Sequence, residues 1–191
     1  MCGIAGYVGD RESADVLVDA LSKLEYRGYD SAGIAVFDHG NIKVKKCKGR
    51  LANLVEKMDE EGKPQGHVGI GHTRWATHGE PSDINSHPHG NKRVTIVHNG
   101  IIENYKKLKD FLVGEGYSFA SETDTEVAAK LLDYYYDGDP MKTIAKVLSE
   151  IKGSYALGIM FRDFPDEIFA VRKDSPLIVG VGEHENFIAS D

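Results

Sequence analysis

The chain opens with Met1-Cys2-Gly3-Ile4-Ala5-Gly6, a cysteine directly behind the initiator methionine and followed by a glycine-rich run. A small second residue lets an aminopeptidase remove Met1, which would leave Cys2 with both a thiol and a free α-amine. Such an amine has a pKa of about 7.7–8.0, so part of it is an unprotonated base near neutral pH. A thiol beside its own base is an activated nucleophile. The alternative is a chance cysteine beside the start, and this stretch alone does not decide between them.

The length and composition of the chain indicate which classes of protein it can belong to. The 191 residues suit one domain with a sizeable core. The net charge of -7 disfavours a nucleic-acid partner. Cys2 and Cys47 make neither a disulfide framework nor a zinc-binding spacing. Without a signal peptide or an apolar run of about 18 residues, the sequence predicts a soluble, cytoplasmic protein that binds neither nucleic acid nor a membrane.

Hydrophobic periodicity predicts strands at both ends of the chain and helices between them. Strands are expected at 3–8, 33–38, 42–47, 67–72, 93–98, 154–162, 167–173, 177–182 and 186–190. The strands at 33–38 and 42–47 are expected to form a hairpin through His39-Gly40-Asn41. Helices are expected at 13–25, around 51–58, and at 103–114, 125–137 and 141–151, the last one capped by Asp139-Pro140. This order indicates two packed sheets covered by helical layers. Residues 73–91 have the least regular pattern, and long loops are often functional.

Four stretches of the sequence carry a family resemblance when they are taken together. They are Met1-Cys2-Gly3-Ile4, Arg27-Gly28-Tyr29-Asp30-Ser31-Ala32-Gly33, Gly71-His72-Thr73-Arg74-Trp75-Ala76-Thr77-His78-Gly79 and His98-Asn99-Gly100. They resemble the class II glutamine amidotransferases, which are glutaminases with an N-terminal nucleophile. The fuller stretches Leu24-Glu25-Tyr26-Arg27-Gly28-Tyr29-Asp30-Ser31 and Asn85-Ser86-His87-Pro88-His89 are most similar to the branch of that family that makes amino sugars.

The resemblance implies a fold and a reaction. The fold class is α+β, a four-layer αββα N-terminal-nucleophile hydrolase fold with two stacked, mainly antiparallel sheets flanked by helices. Residues 1–191 would form the glutaminase domain, shortened at its C-terminal end and lacking a sugar-phosphate isomerase domain. The full-length enzyme would be a homodimer that uses ammonia from L-glutamine to convert fructose 6-phosphate to glucosamine 6-phosphate. No cofactor and no metal are implied.

The chemistry of amide hydrolysis, which requires a nucleophile, a base and stabilisation of an oxyanion, explains why such residues are needed. Cys2 would form a γ-glutamyl thioester, with its α-amine as the base and later the acid. The resemblance assigns the oxyanion hole to the side chain of Asn99 and the backbone N–H of Gly100, which we expect at the end of a strand. Spacing alone favours a hairpin turn at Asn99-Gly100. The presence of Cys2 and Arg74 favours the oxyanion hole.

The α-carboxylate and α-ammonium groups of glutamine need one cation and one anion. The resemblance implies that Arg74 holds the carboxylate bidentately and that Asp124 holds the ammonium, assisted by Thr77 and His78. An exposed ion pair is an equal alternative for Arg74. A helix N-cap is the alternative that sequence alone favours for Asp124.

Three further residues are expected near the site. Trp75 would either cover the bound glutamine or pack in the core, as large aromatic residues usually do. Arg27 would brace the Cys2 terminus or form a structural ion pair, and His87 would support the site. A metal at His87-Pro88-His89 is disfavoured because the spacing supplies no third ligand. Cys47 is expected to be structural.

Other functions remain open at this stage. The domain could belong to another class II member, such as a phosphoribosyl amidotransferase, although residues after the Arg-Gly pair and in the Thr-Arg-Trp segment differ there. A hydrolase of peptides or acyl amides would have no use for an Arg74 and Asp124 clamp. A catalytically silent regulatory domain would not need Cys2, Asn99 and Gly100.

Overall fold

The computed structural model describes residues 2–76 and 79–191, except for the side chain of Arg27. Within these residues there are ten strands and five α-helices. The strands are β1 (Gly3–Val8), β2 (Ser31–Asp38), β3 (Asn41–Lys48), β4 (Val68–Arg74), β5 (His89–Gly90), β6 (Val94–Ile102), β7 (Gly153–Phe161), β8 (Phe169–Lys173), β9 (Ile178–Val181) and β10 (Asn186–Ala189). The helices are α1 (Ser13–Ser22), α2 (Leu51–Glu61), α3 (Tyr105–Gly114), α4 (Asp124–Tyr135) and α5 (Pro140–Leu148). None of these helices is both long and apolar enough to cross a bilayer.

The described strands form two antiparallel sheets. One has the order β3-β2-β4-β1-β10-β9, and the other has the order β5-β6-β7-β8. β1 therefore lies inside the larger sheet, between β4 and β10. Its register pairs Gly3 with Thr73, so the residue before β1 lies beside the residue at the end of β4. This pairing brings Cys2 close to Arg74, although they are far apart in sequence.

Each sheet has one face against the other sheet and one face against helices. α1 and α2 pack on the larger sheet around Leu17, Leu21 and Leu54, and α3, α4 and α5 pack on the smaller sheet. A third cluster, which includes Ile4 and Ile70, fills the space between the sheets. β2 is buried along its whole length because its side chains alternate between two cores. The predicted α+β, four-layer αββα architecture is confirmed.

Several local predictions are confirmed as well. β1 has the predicted bounds, and β2 and β3 form the predicted hairpin through His39 and Gly40, both of which have positive φ. This is the geometry of a two-residue hairpin turn. Asp139 caps α5 by accepting a hydrogen bond from the backbone N–H of Lys142, and Pro140 occupies the first turn.

Several boundaries differ from the sequence prediction: α5, for example, ends at Leu148 rather than at residue 151, and two further differences lie near Arg27 and Asn99. α1 ends at Ser22 and is followed by a short 3-10 turn at Glu25–Arg27, so the helix does not reach residue 25. β6 does not end at Asn99-Gly100 but continues to Ile102, since β7 supplies pairing partners along that length. Pairing between distant segments cannot be read from local periodicity.

Candidate active site

A cavity of about 490 Å³ opens where the start of β1, the end of β4, the middle of β6 and the first turn of α4 meet. Its lining combines residues from both ends of the chain. They are Cys2, Arg74, Trp75, His87, His98, Asn99, Gly100, Ile101, Thr123, Asp124, Thr125, Ser175, Pro176 and Ser190. The fold thus brings together in one cavity the residues that the sequence indicated as nucleophile, oxyanion donors and charge clamp.

The Cys2 thiol is partly buried at the wall of this cavity. Its Sγ accepts a hydrogen bond from the backbone N–H of Trp75 at 3.1 Å. Burial raises the pKa of the Cys2 thiol, and the Trp75 N–H opposes that rise. A thiol with a raised pKa needs a base close by to become a thiolate. The α-amine of Cys2, once Met1 has been removed, would be such a base on the same residue.

Asn99 lies beside the nucleophile. Its Nδ2 donates a hydrogen bond to the carbonyl oxygen of Cys2 at 3.1 Å. Asn99 pairs with Ala156 and Gly100 pairs with Tyr155 across β6 and β7, so the hairpin-turn alternative for Asn99-Gly100 is wrong.

Gly100 occupies a position that only glycine fits without strain. Its φ is 114°, and a Cβ added there would lie 2.1 Å from the carbonyl oxygen of Ser154. A side chain would therefore clash with the neighbouring strand in addition to being strained by the backbone conformation.

Arg74 and Asp124 place opposite charges in the same cavity. Arg74 is only 3% exposed, and its Nη2 donates to the carbonyl oxygen of Gly79 at 3.3 Å. The alternative of an exposed surface ion pair is therefore wrong for this residue. A guanidinium at the wall of a cavity suits an anionic ligand group, because its fork of N–H donors matches a carboxylate.

Asp124 is 4% exposed and is the first residue of α4. The N-cap of α4 is Thr123, whose side chain accepts from the backbone N–H of Glu126. The N-cap alternative for Asp124 is therefore wrong. Oδ2 of Asp124 accepts from the backbone N–H of Ile102 at 2.9 Å, which fixes the carboxylate between α4 and the end of β6.

Trp75 is 53% exposed, so the alternative in which it packs in the core is wrong. The segment that carries it is held by Asp30. The backbone N–H of Asp30 donates to the carbonyl oxygen of Arg74 at 2.8 Å, and its Oδ2 accepts from Ala76 N–H at 2.6 Å. Asp30 was not among the predicted site residues, although it stands within the Arg27-Gly28-Tyr29-Asp30 stretch.

Four buried histidines, His72, His87, His89 and His98, lie at the cavity wall or next to it, and His87 and His98 are part of the lining. The rings of His72 and His87 stack with centroids 4.1 Å apart, and His87 meets the edge of His89 at 4.7 Å. Thr125 Oγ1 is within hydrogen-bond distance of His87 Nε2 (2.7 Å) and His98 Nδ1 (2.9 Å).

Burial is the main cause of the lowered pKa values in this cluster. It lowers the pKa of His72 to about 3 and the pKa values of His87 and His89 well below their usual range. These rings are therefore neutral at ordinary pH. Of the cluster, only His87 was predicted, as a supporting residue.

The loop that carries His87 is anchored from β3 and β2. Lys46 Nζ donates to the carbonyl oxygens of Ser86 at 2.8 Å and Pro88 at 3.0 Å. The carbonyl oxygen of His87 approaches so closely that a Cβ at Gly33 would lie 2.0 Å from it. Lys46 and Gly33 thus place the loop against the larger sheet, and neither of them is among the predicted site residues.

Some predicted features cannot be placed. Thr77 and His78, expected to assist the clamp, lie outside the described residues, as does the side chain of Arg27. Within the described ranges, no group of three or more histidine, cysteine, aspartate or glutamate residues is arranged to hold a metal ion. Cys47 is buried on β3, away from the cavity lining.

The chain is similar in sequence to a known family of domains and to several known enzymes. The family model described as the glutamine amidotransferase domain matches residues 72–191. The glutamine–fructose-6-phosphate aminotransferase (isomerizing) of Clostridium tetani is 60% identical over all of this chain, which spans 32% of that protein. The protein of the same name from Thermus thermophilus is 52% identical with the same coverage. This chain thus spans about a third of the length of these relatives.

Solved structures agree with that result. The glutamine phosphoribosylpyrophosphate amidotransferase of B. subtilis superposes with a TM-score of 0.85 at 29% identity, over 99% of this chain and 42% of that one. A glutamine aminotransferase class-II domain protein of Silicibacter pomeroyi has a TM-score of 0.69 at 14% identity, over 98% of this chain and 88% of its own, a likeness of fold alone. From the family match over residues 72–191, the chain belongs to the glutamine amidotransferase domain family.

Proposed function

We propose that this domain hydrolyses L-glutamine to L-glutamate and ammonia with Cys2 as the nucleophile. One observation carries the proposal: the Cys2 thiol, the Asn99 amide and the Arg74 and Asp124 charges line the same cavity. Arg74 would bind the α-carboxylate and Asp124 the α-ammonium group, which directs the side-chain amide toward Cys2. Trp75, exposed at the cavity wall, would cover the bound substrate.

The reaction would proceed in two steps. The α-amine takes the thiol proton while Sγ attacks the carbonyl carbon (Cδ) of the side-chain amide, and the amide oxygen gains a negative charge. The side-chain N–H₂ of Asn99 and the backbone N–H of Gly100 would stabilise that charge. The protonated amine then gives its proton to the departing nitrogen, releasing ammonia and leaving the γ-glutamyl thioester. Water, deprotonated by the same amine, attacks the thioester and releases glutamate with the thiol restored.

We further propose that the ammonia serves fructose 6-phosphate and yields glucosamine 6-phosphate in a longer polypeptide. The 60% identity to proteins named glutamine–fructose-6-phosphate aminotransferase supports this assignment. Identity to the phosphoribosylpyrophosphate amidotransferase is only 29%, which disfavours that alternative. A sugar-phosphate isomerase domain as partner and a homodimeric complete enzyme rest on the family resemblance. Two free cysteines, one of them the proposed nucleophile, support a reducing, cytoplasmic location.

The test is a measurement of ammonia, glutamate and amino sugar on one sample from which Met1 has been removed. We expect glutamate and ammonia in equal amounts, no product with Cys2→Ala, and full activity with Cys47→Ala as the matched cysteine control. Protein that retains Met1 should be nearly inactive because its Cys2 has no free amine. The isolated chain should make no glucosamine 6-phosphate, since its sequence has no glycine-rich phosphate loop ahead of a helix. Glutaminase activity that survives Cys2→Ala would refute the proposal.

A further inference from the structure

We propose that His72 is a positioning residue that fixes the orientation of the Asn99 amide, an inference that rests on the proposed glutaminase function. The oxyanion role of Asn99 requires its nitrogen, and not its oxygen, to face the reaction. A terminal amide can rotate by half a turn with little change of shape. The surrounding hydrogen bonds therefore decide which atom faces Cys2.

His72 reaches Asn99 from the opposite sheet. It lies on β4, where it pairs with Ile4 of β1, a residue of the core between the sheets. Alternate residues of β4 share this inner face, so Ile70 and His72 point toward β6. His72 is fully buried, and its Nε2 lies 2.9 Å from Asn99 Oδ1 and 2.9 Å from the carbonyl oxygen of His98.

These two contacts determine the tautomer and the orientation of the amide. The backbone carbonyl oxygen of His98 can only accept, so Nε2 must carry the proton and donate it. Asn99 Oδ1 then accepts from His72, while Nδ2 donates to the carbonyl oxygen of Cys2 at 3.1 Å. Rotating the amide would place an N–H against the N–H of His72 and an oxygen against the Cys2 carbonyl. Both contacts would become repulsive, so the donor stays on the side of the nucleophile.

Neighbouring residues hold the His72 ring in this position. The ring of His87 stacks on it at an interplanar angle of 15°, and His87 Nε2 is held by Thr125 Oγ1. Burial keeps the pKa of His72 at about 3, so the ring stays neutral at ordinary pH. The histidine therefore supplies one fixed donor without placing a positive charge behind the oxyanion site.

The sequence carries a signal for this residue. The inner-face positions of β4 run Val68, Ile70, His72 and Arg74, so the pattern changes from apolar to polar as the strand approaches the cavity. A histidine that only fills the core would bridge the two sheets and contribute to stability alone. A positioning role predicts that removing the Nε2 donor of His72 lowers kcat with KM nearly unchanged, whereas a core-filling role predicts a change in stability alone.

The experiment compares His72→Gln, His72→Asn and His72→Phe in the chain with Met1 removed, each also combined with Asn99→Ala. A glutamine side chain can place an N–H where Nε2 stands, whereas asparagine is too short. We expect His72→Gln to retain most of kcat. His72→Asn and His72→Phe should lower kcat by about 10–10²-fold, less than the loss of a whole oxyanion donor, with KM nearly unchanged. In the Asn99→Ala background, His72→Phe should cost little further kcat.

The outcomes separate this inference from the function on which it rests. If His72→Phe does not fold, the glutamine and asparagine pair, matched in polarity, decides the question. Three results would overturn the positioning role alone. They are reductions in kcat that multiply when the His72 and Asn99 variants are combined, a rise in KM with kcat unchanged, and equal activity of His72→Gln and His72→Asn. A chain with Met1 removed that hydrolyses no glutamine would overturn the proposed function, and the role of His72 with it.

Discussion

At the scale of single residues, the main feature of the site is a pair of opposite charges, Arg74 and Asp124, at one cavity. Arg74 enters it from the end of β4 and Asp124 from the start of α4, and both are almost completely buried. A free amino acid carries the complementary pair of charges, whereas the interior of a peptide carries neither. This arrangement is the basis for choosing a glutaminase over a hydrolase of peptides or acyl amides.

Removing either partner of the clamp should reduce catalytic efficiency. Arg74→Ala and Asp124→Ala each leave a substrate charge unpaired in a partly desolvated site, at a cost of about 2–5 kcal/mol. We expect kcat/KM for glutamine hydrolysis to fall well over tenfold in each variant. Arg93→Ala removes a partly exposed arginine that pairs with Asp133, and it serves as the control with unchanged kcat/KM. Efficient hydrolysis of glutamine analogues lacking the α-carboxylate or α-amine would favour the acyl-hydrolase alternative instead.

The candidate site shows how far motif reasoning reaches at this scale. Cys2, Arg74, Asn99, Gly100 and Asp124 were expected together, and the described structure brings them into one cavity. His72 and Asp30 were missed because their contacts are made to residues distant in sequence. A buried histidine or aspartate has no local signature that separates a positioning role from a core role.

At the scale of secondary-structure elements, α4 links the stability of the fold to the site. Thr123 caps this helix, and the next two residues, Asp124 and Thr125, line the cavity. Asp139 caps α5 in the same way, but that helix does not reach the cavity. The two caps therefore provide a matched pair for testing the link.

Loss of either helix cap should lower the stability of the fold, but only loss of the Thr123 cap should weaken glutamine binding. Thr123→Ala and Asp139→Ala each remove a side-chain acceptor at a helix N-terminus and should lower the free energy of unfolding by about 1 kcal/mol. Thr123→Ala should also raise KM for glutamine, because the first turn of α4 positions Asp124, while Thr123→Ser should retain most of both properties. Denaturant titration and steady-state kinetics on the same samples check this. A rise in KM with Asp139→Ala would show that α4 has no special role.

Element boundaries were predictable where local patterns decide them. β1, the β2–β3 hairpin and the Asp139 cap depend on alternation, turn residues and capping side chains, and all were predicted. The extension of β6 through Asn99 and Gly100 depends on pairing with β7, a segment more than 50 residues away in sequence. The order of strands within each sheet depends on similar long-range contacts.

At the scale of the whole molecule, the space between the two sheets holds a cluster of neutral histidines. His72, His87 and His89 are buried with pKa values lowered mainly by desolvation. In the unfolded chain a histidine has a pKa of about 6.5. The unfolded state therefore binds more protons than the folded state between about pH 6.5 and the folded pKa, which is about 3 for His72.

Stability should consequently decrease as the pH falls below about 6.5. Each fully buried neutral histidine can contribute up to about 1.4 kcal/mol per pH unit in that window, and none of this loss occurs above it. We expect His72→Gln to reduce the slope of unfolding free energy against pH between about pH 4 and 6. His184→Asn, at an exposed position with positive φ, is the control that should leave the slope unchanged. An identical slope in the unmodified chain, His72→Gln and His184→Asn would mean that His72 is not kept neutral by burial.

The central claim, that Cys2 is the nucleophile of a glutamine site, is tested most directly by covalent labelling. A glutamine-like electrophile is added to the chain from which Met1 has been removed, and the labelled peptide is located by mass spectrometry. We predict labelling at Cys2 and not at the buried Cys47, with protection by excess glutamine and loss of protection in Arg74→Ala. Labelling at Cys47 alone, or labelling of Cys2 that glutamine does not slow, would contradict the account.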